Sequence, residues 1–133
     1  MIGFERFKNI LITGGAGFIG SNLVRKIIKT NNVNLFIIDK ISYASDLRSI
    51  EKIIRDKNNI NNSKCELLKI DLKNYKDIEK AIKTVRPDLI FHLAAETHVD
   101  RSIENPNHFI ESNIIGTFNL LNAAKKLFND LCY

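Results

Sequence analysis

The stretch Asn9-Ile10-Leu11-Ile12-Thr13-Gly14-Gly15-Ala16-Gly17-Phe18-Ile19-Gly20 decides the fold. It opens as a short apolar run, and Ile19, Leu23, Val24, Ile27 and Ile28 then recur at helical spacing. The pattern predicts a strand over Asn9–Thr13, a glycine-rich turn, and a helix from about Gly17 to Thr30. Backbone N–H groups in such a turn can approach a pyrophosphate, and the helix N-terminus adds partial positive charge. Gly14 suits the tight turn, Gly17 leaves room for a phosphate, and Gly20 allows the helix to pack close to the strand.

Outward from this unit, apolar runs keep alternating with helical periodicity, the pattern of consecutive βαβ units and a parallel sheet. Asn34–Asp39 is the second expected strand. A looser helix follows from about Leu47 to Arg55, then an Asn-rich polar turn (Asn58-Asn59-Ile60-Asn61-Asn62) and a third strand from about Cys65 to Ile70. Asn74 can cap a third helix, with Tyr75, Ile78, Ala81, Ile82 and Val85 as its apolar face and Pro87 as its end. Leu89–Ala95, preceded by Pro87-Asp88, reads as a fourth strand buried on both faces. Asn105-Pro106 opens a last helix whose face runs through Phe109, Ile110, Ile114, Phe118, Leu121 and Leu127. Gly116 inside it costs about 1 kcal/mol relative to Ala, which points to close packing against a neighbour. Right-handed crossovers favour the strand order 3-2-1-4, with helices on both faces. The fold class is therefore α/β: part of a doubly wound parallel sheet, in one domain spanning all 133 residues.

A chain of this length can bury a core without staples. Cys65 and Cys132 match no metal-ligand spacing and predict free thiols in a reducing, cytoplasmic setting. Met1 to Lys8 carries Glu5, Arg6 and Lys8 ahead of a short apolar run, so no signal peptide is expected, and no apolar stretch approaches a membrane span. The net charge of +5 is spread along the chain among acidic residues. Without an aromatic-interleaved basic patch, zinc knuckle or recognition helix, nucleic acid is not an expected partner.

Two regions carry the chemistry. Asp39 ends the second strand, where a carboxylate can accept from a ribose 2′-hydroxyl and would repel a 2′-phosphate. A dinucleotide is thus expected, NAD rather than NADP, although the neighbouring Lys40 works in the opposite direction. The apolar run Leu89–Ala95 turns abruptly polar at Glu96-Thr97-His98-Val99-Asp100-Arg101-Ser102, just past a strand's carboxyl end, where ligands lie in open α/β sheets. His92, inside the strand, reads as a hydrogen-bonded core residue. His98 and Asp100 read as loop scaffold rather than metal ligands, and Asp100-Arg101 as loop ion pairs or interface contacts; no metal site is expected.

Phe91-His92-Leu93-Ala94-Ala95-Glu96-Thr97-His98-Val99-Asp100-Arg101-Ser102-Ile103 closely resembles the matching segment of bacterial dTDP-glucose 4,6-dehydratases, in the extended short-chain dehydrogenase/reductase superfamily. The Gly-x-x-Gly-x-x-Gly spacing resembles that superfamily too, and Asp39-Lys40-Ile41-Ser42-Tyr43-Ala44 looks like the family's Asp-Lys-Leu-Thr-Tyr-Ala run. The resemblance implies a Rossmann-type fold and NAD as cofactor. By it, Phe18 and Ile19 contact the pyrophosphate, and Asp39, Lys40, Ile41 and Ser42 line the adenosine ribose. Asp71-Leu72 matches the family's Asp-Ile pair facing the adenine; by position alone Asp71 is a turn residue. Leu93, Ala94, Ala95, Glu96 and Thr97 pass under the nicotinamide-side ribose. Thr97 replaces a Ser that also touches the sugar nucleotide, and Ser112 replaces a Thr near the cofactor, each keeping the hydroxyl.

The superfamily's Tyr-x-x-x-Lys pair, in which Lys lowers the Tyr pKa for proton abstraction, has no counterpart in these residues. Tyr43 is followed by Leu47, Tyr75 by Glu79, and Tyr133 is last. The family's Thr-Asp-Glu run is expected beyond Tyr133 as well. No catalytic residue is therefore assigned. The resemblance implies the N-terminal, cofactor-binding part of a lyase acting on dTDP-glucose, a homodimer at full length. A UDP-sugar 4,6-dehydratase or epimerase, a non-catalytic nucleotide-binding module, and a structural protein with an empty glycine loop remain alternatives.

Overall fold

Ile10, Leu11 and Ile12 have no exposed surface, and the strand they form, β1 (Asn9–Thr13), lies inside a parallel sheet. The computed structural model describes residues 3–29, 33–42, 45–60, 64–97, 103 and 105–131. After β1 come α1 (Phe18–Ile27), β2 (Asn34–Asp39), α2 (Leu47–Ile60), β3 (Cys65–Lys69), α3 (Tyr75–Val85) and β4 (Leu89–His92). The last helical stretch has three parts: α4 (Pro106–Phe109), a π-helical segment (Ile110–Ile115) and α5 (Gly116–Leu131). The strands are parallel and ordered β3-β2-β1-β4, the expected partial Rossmann-type sheet. The chain forms two compact units, Met1–Lys69 with Pro87–Leu93, and Ile70–Arg86 with Ala94–Tyr133.

The first unit holds the sheet. Side chains two apart on a strand share a face, so Ile10 and Ile12, Leu35 and Ile37, and Cys65 line one side, where Val24 and Ile27 of α1 and Ile50 of α2 join them. Each fully buried aliphatic side chain here contributes roughly 1.5–3 kcal/mol. Leu11, Phe36 and Ile38, on the other face, are buried as well. Polar groups latch the strand starts. Asp88 Oδ2 accepts from the N–H groups of Lys8 and Asn9, both at 2.8 Å. Asn34 donates to Asn9 Oδ1 at 2.9 Å and accepts from Lys64 N–H at 2.8 Å.

In the second unit α3 packs on α5, burying Ile78 and Ile82 of one helix and Leu120, Ala123 and Leu127 of the other. Lys126 Nζ donates to Glu79 Oε1 at 2.5 Å, and Lys83 lies 3.3 Å from the same oxygen. These bonds hold the Glu79 carboxyl below its ordinary range. Asn119 Nδ2 donates to the carbonyls of Leu72 and Lys73, at 3.0 and 3.1 Å. A Cβ on Gly116 would sit 3.0 Å from Leu72 Cβ, so the expected close packing is present.

The element boundaries depart from expectation in several places. α2 continues to Ile60 rather than Arg55. Asp, Lys and Asn cost only tenths of a kcal/mol each in a helix, and no Gly or Pro interrupts them. α1 and β3 stop short of Thr30 and Ile70, at Ile27 and Lys69. β4 ends at His92 rather than Ala95: its pairing with β1 ends at Thr13 opposite His92. As an edge strand it is half-buried, not buried on both faces. Asn74 stands at the N-cap of α3 but does not cap; its amide donates to Asp77 instead. Asn105 does cap α4, accepting from His108 N–H at 3.4 Å.

The largest correction concerns the last helix. Of its expected core face Leu127 is buried and Phe109 half-buried, but Ile110, Ile114, Phe118 and Leu121 are between 48% and 63% exposed, while Leu120 and Ala123, outside that face, are buried. At about 3.6 residues per turn Leu127 lies half a turn around α5 from Phe118, so the expected residues straddle both sides of the helix. The stretch carries two apolar stripes, and the one built of larger residues is the exposed one. Cys65 is buried and in no disulfide, and among the described residues no helix is long and apolar enough to cross a membrane.

Ile37 tests the core directly. Ile37→Ala is expected to lower stability by about 3 kcal/mol in urea unfolding, as fully buried Ile→Ala changes do. A loss below about 1 kcal/mol, the cost of a partly exposed methylene, would contradict this packing.

Candidate functional site

Where β1 ends, Gly14 takes φ 69°, a conformation open to glycine at no steric cost. Its N–H donates to Ile38 O at 2.8 Å and its carbonyl accepts from Gly17 N–H at 3.1 Å, closing the turn. A Cβ on Gly20 would lie 2.1 Å from Gly14 O and 2.7 Å from Gly15 Cα. Gly20 is therefore required where the first turn of α1 meets the backbone that leaves β1, in keeping with the close helix approach expected of it. Gly17 caps α1 without a side chain, and Phe18 and Ile19 on the first helical turn are 87% and 69% exposed. The positive end of α1 is thus open to an anionic ligand. Gly15 is the residue that sequence reasoning missed in this turn. A Cβ there would sit 2.5 Å from Ile37 Cγ2, so it lets the turn lie on β2.

Asp39 ends β2 almost fully buried, and its carboxylate joins two turns. Oδ2 accepts from Ala16 N–H at 3.0 Å, and Oδ1 accepts from Ile41 N–H at 2.8 Å and Ser45 Oγ at 3.3 Å. Ser45 Oγ in turn accepts from Ser42 N–H at 3.0 Å, while Asp46 N–H donates to Ala16 O at 2.9 Å. Ile41 stands at φ 56°, a left-handed conformation that costs a β-branched residue roughly 1–2 kcal/mol. Its N–H bond to Asp39 helps offset that strain. A carboxylate has about four lone-pair directions, and these donors occupy three, leaving Oδ2 able to accept once more. Lys40 and Ser42 lie half-buried on the same turn.

The strand ends are joined by a second polar contact. Thr13 Oγ1 and His92 Nδ1 are 2.6 Å apart, on residues that face each other in the β1–β4 register. Leu93 N–H donates to Thr13 O at 3.1 Å and to Thr13 Oγ1 at 3.3 Å. Burial pushes the His92 imidazole below its ordinary range. This is the hydrogen-bonded histidine that its strand position predicts.

Asp71, Leu72, Ala94, Ala95, Glu96, Thr97 and Ser112 belong to the second unit; the other residues expected at the cofactor belong to the first. Asp71 closes a turn, its Oδ1 accepting from Lys73 N–H at 3.1 Å and its carbonyl from Asn74 N–H at 3.0 Å. Leu72 is buried beside it. Residues 94–97 are irregular backbone, with Ala95 and Thr97 exposed. Glu96 N–H donates to Asn113 Oδ1 at 2.8 Å, and Asn113 Nδ2 donates to Glu96 O at 2.9 Å. Asn113 had no assigned role; its signal is an amide set among Ile110, Ile114 and Ile115. Ser112 is half-buried next to it, in the π segment. The expectations for Tyr43, Ala44, Cys132 and 98–102, where the bracing loop was expected, lie outside the described residues.

Backbone N–H groups, a helix N-terminus and a nearby carboxylate form a pairing suited to a phosphate next to a hydroxyl-bearing sugar. The profile of the GDP-mannose 4,6 dehydratase family matches residues 11–131. The dTDP-glucose 4,6-dehydratase of Neisseria gonorrhoeae is 40% identical over 127 residues, 96% of this chain and 35% of that protein. That of Salmonella typhimurium is 45% identical over 122 residues, covering 92% and 32%. This chain therefore spans about a third of the curated relatives it matches. A dTDP-glucose 4,6-dehydratase from Streptomyces venezuelae, solved with NAD and TYD bound, matches with TM-score 0.76 and 30% identity over 90% of this chain and 36% of that one. The UDP-glucose-4-epimerase of Stenotrophomonas maltophila, with bound NAD and formylated UDP-arabinopyranose, matches with TM-score 0.75, 28% identity, and 90% and 34% coverage.

The contacts at Gly20 set an order of sensitivity. Gly20→Ala is expected to lower the melting temperature well below that of Gly17→Ala, whose added Cβ would meet Gly14 O at a nearly tolerable 3.3 Å. Equal melting temperatures for the two variants would contradict the geometry of the turn.

Proposed function

This chain belongs to the GDP-mannose 4,6 dehydratase family, and from that membership we propose that it is the NAD-binding portion of a dTDP-glucose 4,6-dehydratase. The observation that carries the reading is the Asp39 carboxylate, which grips Ala16 and Ile41 together and keeps one acceptor direction. A glycine turn and a ribose acceptor are thereby set beside each other before any ligand arrives. The relatives named dTDP-glucose 4,6-dehydratase support the sugar nucleotide and the lyase chemistry, from dTDP-glucose to dTDP-4-dehydro-6-deoxyglucose and water. The cytoplasm is the expected compartment.

In this reading Gly14, Gly17, Phe18, Ile19 and Gly20 hold the pyrophosphate, and Asp39, Lys40, Ile41 and Ser42 the adenosine ribose. Asp71 and Leu72 face the adenine. Leu93, Ala94, Ala95, Glu96, Thr97 and Ser112 hold the nicotinamide side, and Thr97 also meets the sugar nucleotide. When bound, NAD supplies the hydride acceptor. This chain's own part is to bind and orient: the α1 N-terminus attracts negative charge, and the fixed Asp39 selects a 2′-hydroxyl over a 2′-phosphate. No residue is assigned to proton transfer, since no tyrosine here has a lysine four residues on.

A UDP-sugar dehydratase or epimerase is the second reading, favoured by the fold match to a UDP-glucose-4-epimerase. Calorimetry with NAD, NADP, dTDP and UDP separates the possibilities. The expected result is NAD binding at least about tenfold tighter than NADP, since a 2′-phosphate placed against a carboxylate costs more than about 1.4 kcal/mol. A preference for dTDP over UDP supports the first reading and the reverse supports the second. Nucleotide binding without turnover is expected of the chain alone, so sustained dehydration by it would contradict the assignment, and failure to bind any nucleotide would leave a structural protein.

The homodimer that the resemblance implies needs an apolar surface, and the exposed stripe of Ile110, Ile114, Phe118 and Leu121 offers one. Phe118→Glu is expected to shift a dimer to monomer in sedimentation velocity. An unchanged dimer would place the interface elsewhere.

A further inference from the structure

We propose that Thr13 and His92 form a positioning pair that fixes the point where the chain leaves β4, and thereby governs affinity for the nicotinamide half of a dinucleotide. The inference rests on the NAD-binding reading above.

The argument begins with what holds each strand end. The turn after β1 is secured independently of β4: Gly14 N–H bonds Ile38 O, Ala16 N–H bonds Asp39, and Asp46 N–H bonds Ala16 O. Leu93, the first residue past β4, gives its N–H to Thr13 alone, through the carbonyl at 3.1 Å and the hydroxyl at 3.3 Å. The carbonyl bond continues the strand ladder and needs no particular side chain. The hydroxyl bond depends on the orientation of Oγ1, which the 2.6 Å contact with His92 Nδ1 fixes.

Oγ1 accepts from Leu93 N–H and keeps its own hydrogen for His92, and in the proposed pair Nδ1 accepts it. His92 is then neutral with its proton on Nε2, and neutrality, though not the choice of nitrogen, is what burial favours. The chain Leu93 N–H to Thr13 O–H to His92 Nδ1 runs in one direction, with each group both oriented and satisfied. Neither side chain need touch a ligand. Removing the hydroxyl or the ring acceptor leaves Leu93 N–H held by the Thr13 carbonyl alone, a looser anchor, while the glycine turn stays in place.

That asymmetry supplies the test. In the full chain, affinity for NAD and for ADP, which lacks the nicotinamide half, is measured by calorimetry for Thr13→Val, Thr13→Ser, His92→Phe and His92→Asn. Thermal melts confirm that each variant is folded. Thr13→Val and His92→Phe are expected to weaken NAD about tenfold, in line with loss of an oriented hydrogen bond, and to leave ADP within about twofold. Thr13→Ser keeps the hydroxyl and His92→Asn places an amide oxygen near the Nδ1 position, so both are expected to restore NAD binding. Equal loss for NAD and ADP would show a general structural role and overturn the inference, as would a His92→Asn variant no better than His92→Phe. If the unsubstituted chain binds neither NAD nor ADP, the NAD-binding reading itself fails and this inference falls with it.

Discussion

Between Gly14 O and Gly20 Cα there is no room for one further carbon atom, and the rest of the first unit is arranged around that constraint. The first turn of α1 can lie this close to the end of β1 only because residue 20 has no side chain. Once there, it presents an uncapped helix N-terminus with Phe18 and Ile19 turned to solvent. The closeness would be worth little if the turn could move. Asp39 prevents that by tying Ala16 to Ile41, so that two turns from neighbouring strands share one buried carboxylate. Burying such a charge is tolerated because it receives hydrogen bonds from three donors.

The same logic recurs with weaker chemistry at the β1–β4 junction. There a neutral Thr–His pair replaces the carboxylate, and the residue it positions is Leu93. In the second unit, Asn113 grips both backbone groups of Glu96. Each irregular segment expected at the cofactor is thus held by one polar side chain on a regular element. Rigid elements bear the precision, and the loops inherit it.

Much of this was legible in the sequence. The strand order, the limits of β1 and β2, the tight turn at Gly14 and the hydrogen-bonded His92 follow from periodicity, glycine spacing and strand ends. What failed did so for specific reasons. The extent of β4 is set by its partner, since the paired residues of β1 end at Thr13; an apolar run cannot report that. The face of the last helix is only partly legible because the stretch carries two apolar stripes, and which of them is buried depends on α3, distant in sequence. Asn113 and Gly15 were passed over because their importance lies in contacts with Glu96 and Ile37, distant in sequence. Side-chain partners across such separations are products of the fold, not of local pattern.

The central claim is that the glycine turn and the Asp39 carboxylate receive a dinucleotide together. The most direct measurement is a titration with NAD followed by ¹H–¹⁵N correlation spectra of the labelled chain. The account predicts that the amides of Gly14 to Gly20 and of Ile41 shift together along one saturation curve, and that Asp39→Ala abolishes their shared response. Saturation by NAD that leaves these amides unmoved, with shifts confined to other residues, would contradict it.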